Sequence, residues 1–285
     1  MRFAKMHGAG NDFIVIDARS TQRQWDRLAI EMCDRHFGVG GDGILVVEPS
    51  RRASVRMRMF NPDGSESDMC ANGLRCIAKY VVDEGLSPAG GELTIETGAG
   101  VNPVSVRIEN GTVVSARVGM GQPRFDPSDI PVARNGADRV VDYDLDVDGE
   151  SFAVTCLSMG NPHAVAFIDG AIDDIPLEVI GPKVEHHPFF PERVNFEIVN
   201  VRDRGHLDMR VWERGAGITL ACGSGASAVG VAARLKGLTD DEVSITLPGG
   251  ELRVGWPGEG EVWLEGPAKL VFTGEWAGDT HQLKG

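Results

Sequence analysis

At 285 residues, with 42% hydrophobic and 25% charged side chains, the chain is long enough for one large domain or two of ordinary size around a sizeable core. A net charge of −14 argues against a nucleic-acid partner or an anionic membrane surface. Residues 1–8 hold no apolar leader core, and no stretch approaches the ~18 apolar residues of a membrane span, so a cytoplasmic protein is expected.

In chain order, apolar and β-branched runs at 13–16, 44–47 and 55–60 predict strands. Leu74, Ile77, Ala78, Val81 and Val82 then sit at i, i+3, i+4, i+7 and i+8, a helix face, with Gly85 as its C-terminal cap. A strand is expected at 113–118 and a boundary at 118–122, and 124–148, rich in Asp, Pro and Arg, reads as loops and edge strands. Strands recur at 165–168, 198–201 and 207–212. Residues 226–233 are small on nearly all sides and predict a buried helix, with Gly237 after it. The last strand-like run, 268–272, is expected to return to the first half.

The two halves read as copies. At a constant offset of 152, Met57-Arg58 meets Met209-Arg210, Cys70 meets Cys222, Gly73 meets Gly225, and Gly85-Leu86 meets Gly237-Leu238. Gly10-Asn11 matches Gly160-Asn161 at 150, and Ile44-Leu45-Val46-Val47 lies opposite Phe196-Glu197-Ile198-Val199. The expected fold is α+β: two pseudo-repeat domains, each a mainly antiparallel sheet or barrel wrapped around a central helix. Their expected limits are 1–118, joined by the last strand at about 266–285, and 119–265.

Both central cysteines stand directly before a small, glycine-containing turn that opens a helix: Cys70-Ala71-Asn72-Gly73 and Cys222-Gly223-Ser224-Gly225. A helix N-terminus favours an anion, so it should lower a thiol's pKa, and its free N–H groups can hold a carboxylate or oxyanion. A duplicated fold would bring the two helix starts to one cleft, with a thiol on either side of an acidic carbon. That suits epimerisation, in which one base removes a proton and an acid on the opposite face returns one. No cofactor is required as an electron sink.

The other cysteines read differently. Cys33, Cys156 and Cys76 are expected in the core, the last because its copy is Ala228. The five cysteines do not form a disulfide framework, and neither a Cys-x-x-Cys nor a His pair suited to zinc is present; His186-His187 precedes Pro188 in a loop. No metal is expected. The glycines from Gly38 to Gly43 precede a strand, not a helix, so a dinucleotide loop is excluded.

Several further motifs carry a resemblance. Phe3-x-Lys5-Met6-His7-Gly8-x-Gly10-Asn11-Asp12-Phe13 opens the chain, and Phe60-Asn61-x-Asp63-Gly64 leads into Met69-Cys70-x-Asn72-Gly73-x-Arg75-Cys76. Met159-Gly160-Asn161-Pro162-His163, Arg193-Val194-Asn195-Phe196, Trp212-Glu213-Arg214-Gly215 and Ala221-Cys222-Gly223-Ser224-Gly225-Ala226 follow in order. In these the sequence resembles the diaminopimelate epimerase family along almost its whole length.

The resemblance implies a pyridoxal-phosphate-independent isomerase, a homodimer, interconverting LL- and meso-diaminopimelate for lysine and cell-wall precursors. It implies Cys70 and Cys222 as the base and acid, and the N–H groups of Ala71, Asn72, Gly223 and Ser224 as the cradle of the reacting carboxylate. Asn11, Asn61, Asn161, Asn195 and Arg214 would hold the distal amino-acid end, with Glu213 on an ammonium. His163 and Glu213 resemble residues that tune the thiols. Ala71 stands where the family often has Gly, and Gly43 where some members offer a Gln. A proline- or hydroxyproline-type racemase shares the two-thiol plan but is disfavoured by Asn72 and Glu213-Arg214. A phenazine-type isomerase lacks the thiol pair, and a non-catalytic binding module would not need it.

Overall fold

A computed structural model describes residues 1–87, 93–133 and 139–278. Residues 134–138 of the expected loop-rich stretch and 279–285 of the expected last segment lie outside the described residues. The chain divides into two compact units, Met1–Val118 with Gly266–Gly285, and Gly119–Glu265.

The first unit begins with β1 (Arg2–Gly8), β2 (Asn11–Asp17), α1 (Trp25–Cys33), β3 (Gly43–Glu48), β4 (Val55–Phe60) and β5 (Glu66–Ser67). It continues with α2 (Ala71–Asp83), β6 (Leu93–Thr97), β7 (Gly100–Glu109) and β8 (Thr112–Gly119). β1 and β2 pair antiparallel, β2 and β3 parallel, and β3 and β4 antiparallel; β4 then takes β5 antiparallel and β6 parallel, and β6, β7 and β8 run antiparallel.

The second unit repeats this scheme, opening with β9 (Tyr143–Val147), which pairs with β10 (Glu150–Ser158). β11 (Pro162–Phe167), α3 (Leu177–Glu185), β12 (Asn195–Asp203), β13 (His206–Glu213) and β14 (Gly217–Ile218) follow. α4 (Gly223–Leu235), β15 (Glu242–Leu247), β16 (Gly250–Gly255) and β17 (Trp263–Pro267) complete it. Again the second and third core strands are parallel, and β13 takes β14 antiparallel and β15 parallel. β18 (Lys269–Glu275) returns to the first unit and pairs antiparallel with β1, the place that β9 fills beside β10. The duplication is therefore in the hydrogen-bonding scheme as well as in the sequence.

Each unit buries one helix against its strands. α2 turns Leu74, Ile77, Ala78 and Val81 to the interior, and α4 buries Ala226 through Ala233 without a polar face. α4 consists of small residues because the sheet lies close. A Cβ on Gly230 would stand 2.6 Å from Val254 Cγ1. Both helices end as the glycines imply, Gly85 at φ 67° and Gly237 at φ 69°. Two helices lie outside the sequence expectations, α1 and α3. α1 buries Trp25, Leu28, Ala29, Met32 and Cys33, and α3 carries Pro182 within it. No helix among the described residues is long and apolar enough to cross a membrane.

Candidate active site

In the first unit Cys70 is the N-cap of α2, in extended conformation (φ −148°, ψ 113°). Its Sγ accepts from the Gly73 N–H at 3.3 Å, and the Leu74 N–H bonds the Cys70 carbonyl at 2.8 Å. The N–H groups of Ala71 and Asn72, in the same first turn, have no intrahelical acceptor. The Asn72 amide donates to Asn11 Oδ1 at 3.0 Å, and the Asn11 amide donates to Asp42 at 2.7 Å. Asn11 is delivered by a left-handed turn, Ala9 at φ 52° and Gly10 at φ 87°. Behind Asn72, the Arg75 guanidinium donates to its Oδ1 at 2.7 Å. Arg75 is fully buried, and its Nε and Nη1 have no partner among the described residues. Asn61 uses its amide in its own turn, donating to Ser65 Oγ at 3.0 Å.

The second unit repeats the arrangement. Cys222 caps α4 (φ −119°, ψ 114°), with Sγ accepting from the Gly225 N–H at 3.3 Å. Asn161 and Ser224 stand where Asn11 and Asn72 stand: the Asn161 amide donates to Ser224 Oγ at 3.2 Å, and Oγ lies 3.5 Å from Cys222 Sγ. Glu213 accepts from the Thr219 hydroxyl and lies beside Cys222. His163 lies between Glu197 Oε1, 2.7 Å from Nδ1, and Asn161 Oδ1, 3.0 Å from Nε2. Asn195 is committed to the backbone, donating to the Pro162 carbonyl at 2.8 Å and accepting from the Arg214 N–H at 2.9 Å. The Arg214 side chain is exposed and donates once, to the Glu192 carbonyl at 3.2 Å.

Cysteine is not among the residues favoured at an N-cap, where Ser, Thr, Asp and Asn lead. Its occurrence at both equivalent caps places two sulfurs at the positive ends of helices, each beside free N–H donors. The family model for diaminopimelate epimerase matches residues 3–125 and 155–271. A curated relative of that name from Acetivibrio thermocellus is 46% identical over 279 residues, covering 96% of this chain and 98% of the relative. One from Moorella thermoacetica is 46% identical over 278 residues, covering 96% and 99%.

The chain belongs to the diaminopimelate epimerase family.

Its fold extends further. A solved structure described as a probable proline racemase from Agrobacterium radiobacter, with bound carbonate, superposes with a TM-score of 0.70 at 14% identity, covering 99% of this chain and 94% of that one. At that identity the likeness is one of fold alone.

For this member of the diaminopimelate epimerase family, one electrostatic expectation is corrected. The helix N-terminus does not lower the Cys222 thiol. Burial pushes it well above its ordinary range, and the nearby Glu213 and Glu197 carboxylates push it further, outweighing hydrogen bonds from Ser224 and the Gly225 N–H. Burial also raises Glu213, against hydrogen bonds with Thr219 and Cys222. Cys33 and Cys76 are pushed up to about 11 and about 12 by burial, and Cys156 higher still, and all three lie in the core as expected. At Gly43, a Cβ would stand 2.7 Å from the Phe60 carbonyl, so a side chain there would need a backbone shift.

Three residues of the site lie beyond the sequence expectations: Asp42, Arg75 and Glu197. The signal for Glu197 and Arg75 was a charge inside an apolar run, Phe196-Glu197-Ile198-Val199 and Leu74-Arg75-Cys76-Ile77. Such charges are almost never fully buried without a partner or a task.

Proposed function

We infer that the protein is a diaminopimelate epimerase, interconverting LL- and meso-2,6-diaminopimelate in the supply of lysine and cell-wall precursors, by proton transfer between two thiols and one α-carbon. The observation that carries the reading is the pair of cysteine N-caps, each with its sulfur bonded to the third N–H of its helix. The substrate rests on the family and its named relatives. Arg214 and the helix N-termini offer sites for two carboxylates, which fits a diamino-dicarboxylic acid.

In this reading the α-carboxylate lies on the N–H groups of Ala71, Asn72, Gly223 and Ser224. As the α-proton leaves, negative charge develops onto that carboxylate, where helix dipoles and backbone donors already point. One thiol acts as the base while the other, still protonated, acts as the acid from the opposite face. After one turnover the proton positions are exchanged, and the reverse reaction or solvent restores them. Stabilisation comes from the chain's own donors, so the reading asks for neither pyridoxal phosphate nor metal. Asn11, Asn61, Asn161, Asn195 and Arg214 are assigned to the distal end, though the bonds of Asn61 and Asn195 fit supports of the site as well as contacts. The family resemblance further supports a cytoplasmic homodimer with one thiol from each half, 1–118 with 266–285, and 119–265.

The test is to follow epimerisation of LL-diaminopimelate by Cys70→Ser and Cys222→Ser. A hydroxyl is a far poorer base near neutral pH, so each should lose roughly 10³-fold or more in kcat with circular dichroism unchanged. Wild-type turnover in either variant would overturn the mechanism. Turnover of L-proline in preference to diaminopimelate would leave the thiols standing and overturn the substrate.

A further inference from the structure

The duplication gives buried residues of one unit counterparts in the other. His163 and Glu197 are both fully buried, and their equivalents in the first copy, at offsets of 150 and 152, are Phe13 and Leu45. The equivalence is spatial as well. A Cβ on Gly73 would meet Leu45 Cδ2 at 3.0 Å, and one on Gly225 would meet Glu197 Oε1 at 2.8 Å. The same pocket beneath the same cysteine cap is thus filled by an apolar pair in one copy and by a His–Glu pair in the other. The fold needs no charge there. Burying such a pair is costly unless geometry compensates, and an apolar pair of similar volume is often as stable.

The pair is connected. His163 on β11 and Glu197 on β12 share the sheet face toward α4, since Val165 pairs with Glu197 in parallel register and alternate residues share a face. From Glu197 a continuous path of hydrogen bonds runs through His163, Asn161 and Ser224 to Cys222 Sγ. With the Asn161 amide donating to Ser224, its Oδ1 faces Nε2 of His163. Glu197 Oε1 faces Nδ1. Both ring nitrogens therefore meet acceptors, and both carry hydrogen only in the imidazolium. Glu197 Oε2 has no hydrogen-bond partner among the described residues, and Oε1 is held by His163. Cys156, Glu213 and Cys222 stand in its field, and none of these three is a cation.

We propose that Glu197 is a positioning residue for Cys222: it holds the His163 ring as a double donor, which fixes Asn161 and Ser224 against the sulfur. The proposal rests on the reading of Cys222 as one of the two proton-transfer groups. It also explains an asymmetry of the duplication. The apolar version of the pocket serves Cys70, and the charged version serves the thiol that lies beside Glu213.

The experiment uses Glu197→Gln, which keeps shape and an acceptor but removes the charge, with Cys222→Ser alongside. Glu197→Gln should lower kcat by roughly 10²-fold, the scale on which such orienting partners act, with KM little changed. Nitrogen-15 NMR of the histidine rings should show hydrogen on both nitrogens of His163 in the wild type near pH 7, and on one in Glu197→Gln. The double variant His163→Phe with Glu197→Leu, which copies the first unit's own packing, should fold and melt no lower than the wild type. Wild-type kcat in Glu197→Gln, or a singly protonated His163 ring in the wild type, would overturn the proposal. A double variant that fails to fold would show the pair to be structural and would overturn it too. Full activity in Cys222→Ser would instead overturn the two-thiol reading beneath it.

Discussion

Gly225→Ala is a one-carbon change whose effect can be worked from the structure. Gly225 is the third residue of α4, and an added Cβ would stand 2.8 Å from Glu197 Oε1 and 3.3 Å from both Cys222 Cβ and Sγ. Comfortable carbon contacts lie near ~3.5–4.0 Å, so these side chains must retreat by roughly half an ångström. A displacement of about 1 Å can cost ~10²-fold in rate, so half of that should cost about 10-fold in kcat. Stability should change little. Alanine gains about 1 kcal/mol in helix propensity, against about 1–3 kcal/mol for overpacking. The net loss of ~0–2 kcal/mol lowers Tm by at most ~8 °C in a chain of this size. The control is Gly73→Ala, whose nearest atom is the methyl end of Leu45 at 3.0 Å, with Cys70 Sγ at 3.5 Å. It should lose clearly less activity. Steady-state kinetics and a thermal melt on both variants decide the matter. Equal kcat losses, or none in Gly225→Ala, would refute the idea that Glu197 and Cys222 are held against each other within tenths of an ångström.

Other outcomes follow from the same geometry. Arg214→Lys keeps the charge but loses the planar fork, and should lower kcat/KM for diaminopimelate by ~10²-fold; an equal loss in α-hydrogen exchange of a short mono-carboxylic amino acid would place Arg214 in the framework instead. Alkylation mapped by mass spectrometry should reach Cys222 only at pH values well above those for an exposed thiol, and Glu213→Gln, which removes a neighbouring negative charge, should bring the onset down. Burial raises Asp12, but hydrogen bonds from Arg35 and Lys5, with the Lys5 charge, outweigh it and hold the carboxyl at about 2. A depressed carboxylate stabilises the fold above its unfolded pKa and loses that contribution as pH falls. Asp12→Asn should therefore lower Tm at neutral pH, and the difference should shrink from about pH 4 down to about pH 2.

How much of this was legible in the sequence depends on the kind of signal. The duplication was, because identical residues at a fixed offset survive even where the two copies share little else. The cysteine caps were, because a cysteine before a glycine-rich turn and an apolar period of 3.6 marks a helix start. α1 has the right periodicity, with five buried residues at helical spacing, but it is short and its face includes Trp25 and Cys33. α3 was hidden by Gly181-Pro182, a pair that breaks most helices. Here the glycine admits the Trp212 ring, within 2.5 Å of where a Cβ would lie, and the proline follows only five residues after the helix begins. The Cys222 pKa was misjudged because a sequence displays the local dipole but not the burial, nor the two carboxylates that arrive from β12 and β13. Glu197 was visible only as a misfit, a charge where its copy has Leu45.

The central claim is that two groups, not one, move the proton, and the most direct measurement follows LL-diaminopimelate in deuterated water during the first few per cent of conversion. The acid that protonates the carbanion exchanges its hydrogen with solvent, while the base that removes the proton sits on the other face. Two thiols therefore predict that newly formed meso product carries one deuterium at the inverted carbon, while recovered LL substrate carries none. Deuterium entering the recovered substrate as fast as the product, or protium retained at the inverted carbon of the product, would contradict the account.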